Sequence, residues 1–343
     1  MQNRTNKLTL RPALPQDNDG IRSILSHSGT GGSIDVQQLR GESPLTSYSA
    51  DGDDVRLITA DDAEIGRLAA VGGVIMRTEY LGGIPSRCAY LPRLRIHKAY
   101  QSTFRQTAEM YALLGAQLSD CACCYTAVPE SDARLIGILE QQHRSLPAHR
   151  YLGKYTVYCF RGDKKLLPLQ SRRDGFDTLM HLYYSQYALT PCKPDYAGFG
   201  KRRFFGYRRN GELLACCFVS DQQQTKSYKI RAYHGACDKL TKLPVQLTGY
   251  PQIPSAGSEI RHGVVSYLYV RDNDPALCRR FLRSVAAVSG FPLLIWGGYA
   301  SHPLSSAVRH MRSFRFGFRL YEVLWDGAAP AINGKIGLEA ALI

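Results

Sequence analysis

No apolar run in this 343-residue sequence is long enough to cross a bilayer. The longest, Val264 to Val270 and Phe291 to Trp296, are strand-length, against roughly 20 residues for a membrane helix. Acidic residues are in deficit: 29 Asp and Glu stand against 43 Lys and Arg, a formal charge of +14. That excess favours anionic partners such as nucleic acid, a membrane surface or a phosphorylated cofactor. The basic residues, however, are scattered in short groups such as Arg172-Arg173, Lys201-Arg202-Arg203 and Arg279-Arg280. No basic block, zinc-finger pattern or RNP-type motif accompanies them, so nucleic acid is not the expected partner; any such binding would fall steeply with salt. The ten cysteines contain no two C-x-x-C pairs at zinc-finger spacing. Cys123, Cys124, Cys216 and Cys217 sit in apolar, strand-like stretches, where a thiol behaves as a small apolar side chain. Reduced thiols and no metal are expected. Residues Met1 to Lys7 are too polar for the front of a signal peptide, and we expect a cytoplasmic protein with no membrane insertion.

What the chain does have is an ordinary globular composition, 44% hydrophobic and 21% charged, and enough length for two domains. Its most informative stretch runs from Tyr90 to Leu114. It reads as a β-strand passing without a hairpin into a polar bend, Gln101 to Gln106, and then into an amphipathic helix. Such a bend leaves free backbone N–H groups at the positive end of a helix dipole, a natural seat for phosphate. Gln101, Ser102, Thr103, Phe104, Arg105 and Gln106 are therefore candidates to hold the pyrophosphate of an acyl-CoA.

The rest of the chain organises around that stretch. A short strand pattern at Lys7 to Ala13 precedes a helix through Ile21, Ile24 and Leu25, capped by Asp17 or Asn18. Val36 to Leu39 reads as a second short helix. Strands follow at Asp54 to Ala60 and Ile65 to Met76, with Gly72-Gly73 suggesting a bulge. A buried strand at Cys123 to Val128 leads into a helix capped by Ser131 or Asp132, and Tyr151 to Phe160 closes the unit. Gly162 to Pro168 reads as a linker. A second series of elements echoes the first. It contains a helical segment from Asp174, a hairpin across Asn210-Gly211 and a strand at Ser227 to Tyr233 pairing next to it. A strand at Gly263 to Val270, a helix from Ala276 to Val288, and strands at Leu293 to Trp296 and Phe316 to Trp325 follow. The Gly/Ala/Pro-containing tail from Asp326 is expected to pack on a neighbour or stay mobile.

This order, with Arg11-Pro12-Ala13, the Tyr90 to Gln101 stretch, Pro129-Glu-Ser-Asp-Ala133 and Tyr267-Leu-Tyr-Val-Arg-Asp272, resembles the GNAT superfamily of N-acetyltransferases. More closely it resembles bacterial proteins carrying two such domains in tandem. The resemblance implies an α/β (α+β) fold of two GNAT-like domains, residues 1–162 and 163–343. Each would be a mixed, mostly antiparallel sheet flanked by helices. It implies acetyl-CoA or another acyl-CoA as co-substrate and an amine-bearing acceptor of unstated class, and leaves homo-oligomerisation open. Leu94, Arg95 and Ile96 map onto the strand whose backbone pairs with the pantetheine arm, and Asp132 falls where an Asn often contacts that arm. The sequence departs from the family pattern where Phe104 and Gln106 replace the customary glycines of the phosphate loop.

The chemistry itself is less legible. Acyl transfer from a thioester needs a neutral amine, an oxyanion donor and a proton for the leaving thiolate. The family's usual tyrosine acid matches about Leu139, and Arg93 sits where a carboxylate base would be. Glu79, His97 and Tyr155 are the nearest titratable groups, but no catalytic residue is assigned. Acidic residues at Arg271-Asp-Asn-Asp274 oppose a phosphate site in the second unit, which implies a degenerate domain whose aromatics (Tyr183, Tyr184, Tyr187, Tyr196 and Phe199) line an acceptor pocket or fill a core. The alternative to an N-acetyltransferase is a non-catalytic CoA-binding protein on the same scaffold.

Overall fold

The computed structural model describes residues 8–27, 29–162, 165–240, 250–252, 254–325 and 327–343. Met1 to Lys7, the middle of the expected linker at 163–164, and Asp326 at the head of the tail lie outside the described residues. In chain order the first half contains β1 (Thr9–Pro12), α1 (Asn18–Ser26), β2 (Ile34–Leu39), α2 (Pro44–Ser49), β3 (Asp54–Asp62), β4 (Arg67–Leu81), β5 (Ile84–Tyr90) and β6 (Arg95–Ile96). It continues with α3 (Thr107–Gly115), β7 (Cys123–Pro129), α4 (Ala133–Glu140) and β8 (Ala148–Phe160). The second half contains α5 (Phe176–Leu182), β9 (Lys201–Arg209), β10 (Glu212–Asp221), β11 (Ser227–Tyr233), α6 (Ala236–Leu240) and β12 (Gly263–Val270). It ends with α7 (Pro275–Val288), β13 (Leu294–Tyr299), α8 (Ser305–Arg309) and β14 (Ser313–Leu324).

The strands build one large sheet of 12, in the order β1-β3-β4-β5-β7-β14-β8-β13-β12-β10-β9, with β6 paired to β4 at the side. Only β5–β7 and β12–β13 are parallel pairs; the remainder of the sheet is antiparallel. The fold is thus a mixed, mostly antiparallel sheet flanked by helices. The step that binds the two halves of the chain is the placement of β14. Instead of closing the second series, it lies between β7 and β8, pairing Phe318 with Pro129 on one side and with Tyr155 on the other.

Local chemistry accounts for most elements. Ile21, Ile24 and Leu25 share one face of α1 and are buried. Asp132 caps α4 by accepting from the Leu135 N–H, and Asp274 caps α7 by accepting from Ala276 and Leu277. Asn210 (φ 52°) and Gly211 (φ 82°) take the left-handed conformations of a tight hairpin between β9 and β10. In β8 and β13, Tyr158, Phe160, Leu294 and Trp296 pack under α7 and α8 through Phe281, Leu282, Val285 and Val308, while the intervening residues face the opposite side.

Four expectations are corrected. Val36 to Leu39 is strand, not helix: β2 pairs antiparallel with β11 in a separate two-stranded sheet. By the same pairing, Ser227 to Tyr233 is not the next strand of the main sheet. No bulge occurs at Gly72-Gly73, because the β3–β4 register runs straight through Leu57↔Gly73 and Ile58↔Gly72 and shifts instead between Ala60 and Asp61. A side chain on Gly73 would collide with Leu57, and one on Gly72 would press on Leu94 and Met110. Packing of neighbours, not a kink, explains the pair. Finally, the tail after Asp326 folds back onto its own chain, burying Ile332, Ile336, Leu338, Ala341 and Leu342.

Buried polar groups hold that tail by its main chain. Arg77 donates to the Leu342 carbonyl (2.8 Å), Tyr155 to Leu338 (3.0 Å), and Lys226 to Ala341 (2.9 Å) and Ile343 (3.2 Å). Glu339 accepts from the Tyr267 N–H at 2.8 Å. Burial pushes the Glu339 carboxyl up to about 8 from an ordinary 4.5, with the Tyr267 bond pulling the other way. A raised folded pKa means the native state is fully favoured below 4.5 and loses stability as pH rises toward 8, by up to about 1.4 kcal/mol per pH unit. Glu339→Gln keeps the acceptor and removes the titration. Urea midpoints of variant and parent should therefore agree below about pH 4.5, separate progressively as pH rises toward 8 with the variant the more stable, and keep a constant gap above that; parallel curves would refute this account.

Candidate functional site

A site is opened by the way β5 and β7 part. Their parallel pairing extends only from Cys88↔Cys123 to Tyr90↔Tyr125, followed by one more bond, Leu91 N–H to Tyr125 O (2.8 Å). The chain then turns away at Pro92 and reaches β6, where Arg95 and Ile96 pair with Val71 and Ala70 of β4. Beyond Tyr125, β7 continues to Pro129 with β14 on its far side and no strand partner toward β6 among the described residues. A split between Pro92–Arg95 and Ala127–Pro129 results, and Pro92, Arg93, Arg95, Ala127 and Pro129 line a cavity of about 160 Å³.

The cavity is a groove between the main sheet and the small β2–β11 sheet. Its floor is one face of the central strands: Ala127 of β7, Phe316 and Phe318 of β14, Val157 and Cys159 of β8. Ile295 and Val264 extend it to β13 and β12. Because strand side chains alternate, Tyr158, Phe160 and Val265 point to the opposite, helix-covered face. The roof is Val36, Gln38 and Arg40 from and just after β2, with Tyr48, Tyr228 and Ile260. Ala340 and Ile343 of the tail complete a wall. No Asp or Glu is among the lining residues.

Three arginines face this apolar space. Arg40 is buried, pairs with Asp51 and stacks 4.1 Å from the Tyr48 ring centroid. Burial pushes the Asp51 carboxyl up, but Arg40 and Lys226 together outweigh it and hold the group below the usual carboxylate range. Arg93 donates to Asp132 (2.8 Å) and to the Gly29 carbonyl (3.2 Å). Arg95 makes no ion pair with any described residue; burial, and next the neighbouring Arg93, push its pKa down to about 10.

The sequence candidates fall on two sides of the split. Arg95 lines the groove, whereas Leu94 and Ile96 face the other way and pack with Met110, Leu114 and Phe104 around α3. Asp132 is the α4 cap and the Arg93 partner, beside the groove and not among its lining residues. Residues Gln101, Ser102, Thr103 and Arg105 are exposed, Gln106 is partly buried, and the Phe104 ring is buried. The expectation of an uninterrupted strand leading into a bend of free amides is corrected. The strand breaks at Leu91 and Pro92, and the Thr103 and Phe104 N–H groups are bonded to the Tyr100 carbonyl at 3.0 and 2.8 Å. The Arg105 N–H is bonded to Gln106 Oε1 (3.0 Å), and its guanidinium to the Ser102 and Phe104 carbonyls.

The titratable candidates are elsewhere. Glu79 is buried with Arg77 (3.2 Å) and accepts from the Tyr125 hydroxyl (2.8 Å); burial raises it to about 7. Tyr155 is engaged by the tail, and His97 accepts the Ala99 N–H on Nδ1. None of the three lines the groove. Leu139 is buried against α4's neighbours Val128 and Tyr321. Tyr184 and Phe199 are core residues with Phe176 and Tyr267. Sequence reasoning missed Arg40, Tyr48 and Tyr228 because the groove roof comes from segments paired across the chain. The alternation of Arg93 and Arg95 with Leu94 and Ile96 was the available signal.

Comparison with known proteins gives a likeness of fold. No protein-family model and no curated protein sequence matches the chain. Among solved structures, Saccharomyces cerevisiae N-myristoyltransferase with bound myristoyl-CoA superposes with a TM-score of 0.56 at 8% identity, covering 98% of this chain and 90% of that one. A second structure of that yeast enzyme with bound myristoyl-CoA gives 0.55 at 9% identity, covering 98% and 86%.

The buried Arg40–Asp51 pair also sets an expectation for the roof. Asp51→Ala strands the Arg40 charge, and unfolding free energy measured in urea should fall by about 3–5 kcal/mol. A loss within about 1 kcal/mol, the usual value for an exposed pair, would show that the charge is solvated.

Proposed function

We propose that this chain is an acyl-CoA-dependent N-acyltransferase acting on an amine-bearing acceptor, with acetyl-CoA the first donor to test. The observation that carries the reading is the parting of β5 and β7, which opens a split at Pro92, Arg93, Arg95, Ala127 and Pro129 beside the apolar groove. A thioester donor has three parts that match this layout: an anionic head, a thin arm and an acyl end. The head would lie by the exposed bend of Gln101, Ser102, Thr103 and Arg105, the arm between Arg93–Arg95 and Ala127–Pro129, and the thioester at the groove. Leu94, Ile96, Phe104, Gln106 and Asp132 would shape this path from behind. Likeness in fold to an enzyme solved with myristoyl-CoA supports the reading.

In this scheme residues 1–162 form the donor-binding GNAT-like unit. Residues 163–343 form a second, degenerate one, supplying β14 to the floor and β11 to the roof. The neutral amine nitrogen attacks the thioester carbonyl carbon, a C–N bond forms, the C–S bond breaks, and the CoA thiolate leaves and is protonated. The amine proton passes to bound water, because no carboxylate side chain lines the groove among the described residues. Apolar walls exclude competing water and strengthen the polar contacts that remain. That same missing carboxylate favours a second reading, a binding protein without turnover. A cytoplasmic location, open to the donor, belongs to the proposal.

Calorimetric titration with acetyl-CoA, with butanoyl-CoA and myristoyl-CoA alongside, tests the donor. Thr103→Asp places a negative charge on the exposed bend and should weaken donor binding by about tenfold or more, 1.4 kcal/mol, without changing the melting temperature. Mass spectrometry over an amine panel then separates transfer from binding alone. Failure of every donor to bind at millimolar concentration ends the enzyme reading.

A further inference from the structure

The groove holds one more cation than its neighbours neutralise. Arg40 has Asp51 and Arg93 has Asp132, while Arg95 has no ion-pair partner among the described residues. Its position is enforced by the strand: Leu94 and Ile96 are anchored in the α3 core, so period-two alternation turns Arg93 and Arg95 into the groove. The groove it faces carries Val157, Ile295, Phe316 and Phe318, and the polar groups that act on Arg95 are Arg93, Arg40 and the Tyr48 and Tyr90 hydroxyls, none of them an anion at neutral pH. A charge kept in such surroundings without a counter-ion is unfavourable, and a ligand anion relieves that penalty directly.

We propose that Arg95 receives a carboxylate carried by the acylated compound. This rests on the transferase reading for its substrate and names the chemistry that reading lacks. The carboxylate has two sources, an acceptor that is an amino acid or small peptide, or an acyl group that itself ends in a carboxylate. A carboxylate fits better than a phosphate. One guanidinium presents a fork that two carboxylate oxygens match, whereas a phosphate dianion would need a second free cation, and Arg40 and Arg93 are already paired. The cavity, about 160 Å³, suits a small N-acyl amino acid, and ligand pockets of this kind are mostly apolar with a few placed polar groups.

Calorimetric titration of the full chain tests this with two acid–amide pairs. N-butanoylglycine and N-butanoylglycinamide place the carboxylate, or its neutral analogue, on the acceptor half. Succinic acid mono-ethylamide and N-ethylsuccinamide place it on the acyl half. One acid should bind about tenfold or more tighter than its amide. That gap should vanish in Arg95→Gln and return in Arg95→Lys, and the pair showing it identifies the half that carries the charge. Arg95→Gln should melt at or above the parent temperature, since it removes an unpaired cation, so loss of the gap cannot be ascribed to unfolding. Equal binding of acid and amide in both pairs, a gap that survives Arg95→Gln, or no binding of any of the four compounds overturns the proposal. Acetyl-CoA is titrated separately: a chain that fails to bind it but keeps the acid–amide gap loses the transferase reading and retains the carboxylate site.

Discussion

Everything in this molecule leans on β14 lying between β7 and β8. Without it the strands of the first half end at β7 on one side, β8 begins on the other, and the ladder of 12 strands has a gap where the groove floor should be. The insertion satisfies the backbone edges of both neighbours, carries Phe316 and Phe318 into the floor, and sets Tyr321 against α4. The antiparallel register from Ser313↔Phe160 to Leu324↔Ala148, with one shift between Leu320 and Tyr321, keeps that floor in phase with the helix-covered face.

A second constraint follows from burying charge. Arg40, Arg77 and Lys226 are all buried near the tail, matched by Asp51, Glu79 and a set of main-chain carbonyls. These groups specify one position for residues 338–343 more sharply than apolar packing alone would, because a misplaced cation would be left without acceptors. They also fix the roof, since Asp51 ties the Arg40 end of β2 to Lys226 next to β11.

Much of the architecture was legible because it is written locally. The helix cap at Asp132, the Asn210-Gly211 turn and the apolar strands at β7, β10 and β12 depend on neighbours within a few residues. What escaped depends on partners far along the chain. Gln37, Gln38 and Leu39 are acceptable helix formers, and only the pairing with Tyr228 and Lys229 makes that segment a strand. The second glycine of Gly72-Gly73 answers to Leu57 on the adjacent strand, not to a local kink. The bend at Gln101 to Gln106 is legible, but its internal bonds from Thr103 and Phe104 to the Tyr100 carbonyl form a tight turn that polar composition does not announce. Of the groove, Arg95 was marked for its backbone; its side chain, pointed the other way from Leu94 and Ile96, is what the alternation brings forward.

The late position of β14 has a kinetic consequence during synthesis. As the chain leaves the ribosome, β7 and β8 are complete long before residues 313–324 emerge, so their facing edges stay unpaired for the translation of the whole second half. Two open edges of apolar strand are a template for the wrong partner, and the contact that closes them spans about half of the sequence, which slows folding. Nascent chains halted shortly before Ser313 would thus be the form most exposed to misassociation and the one most dependent on chaperones.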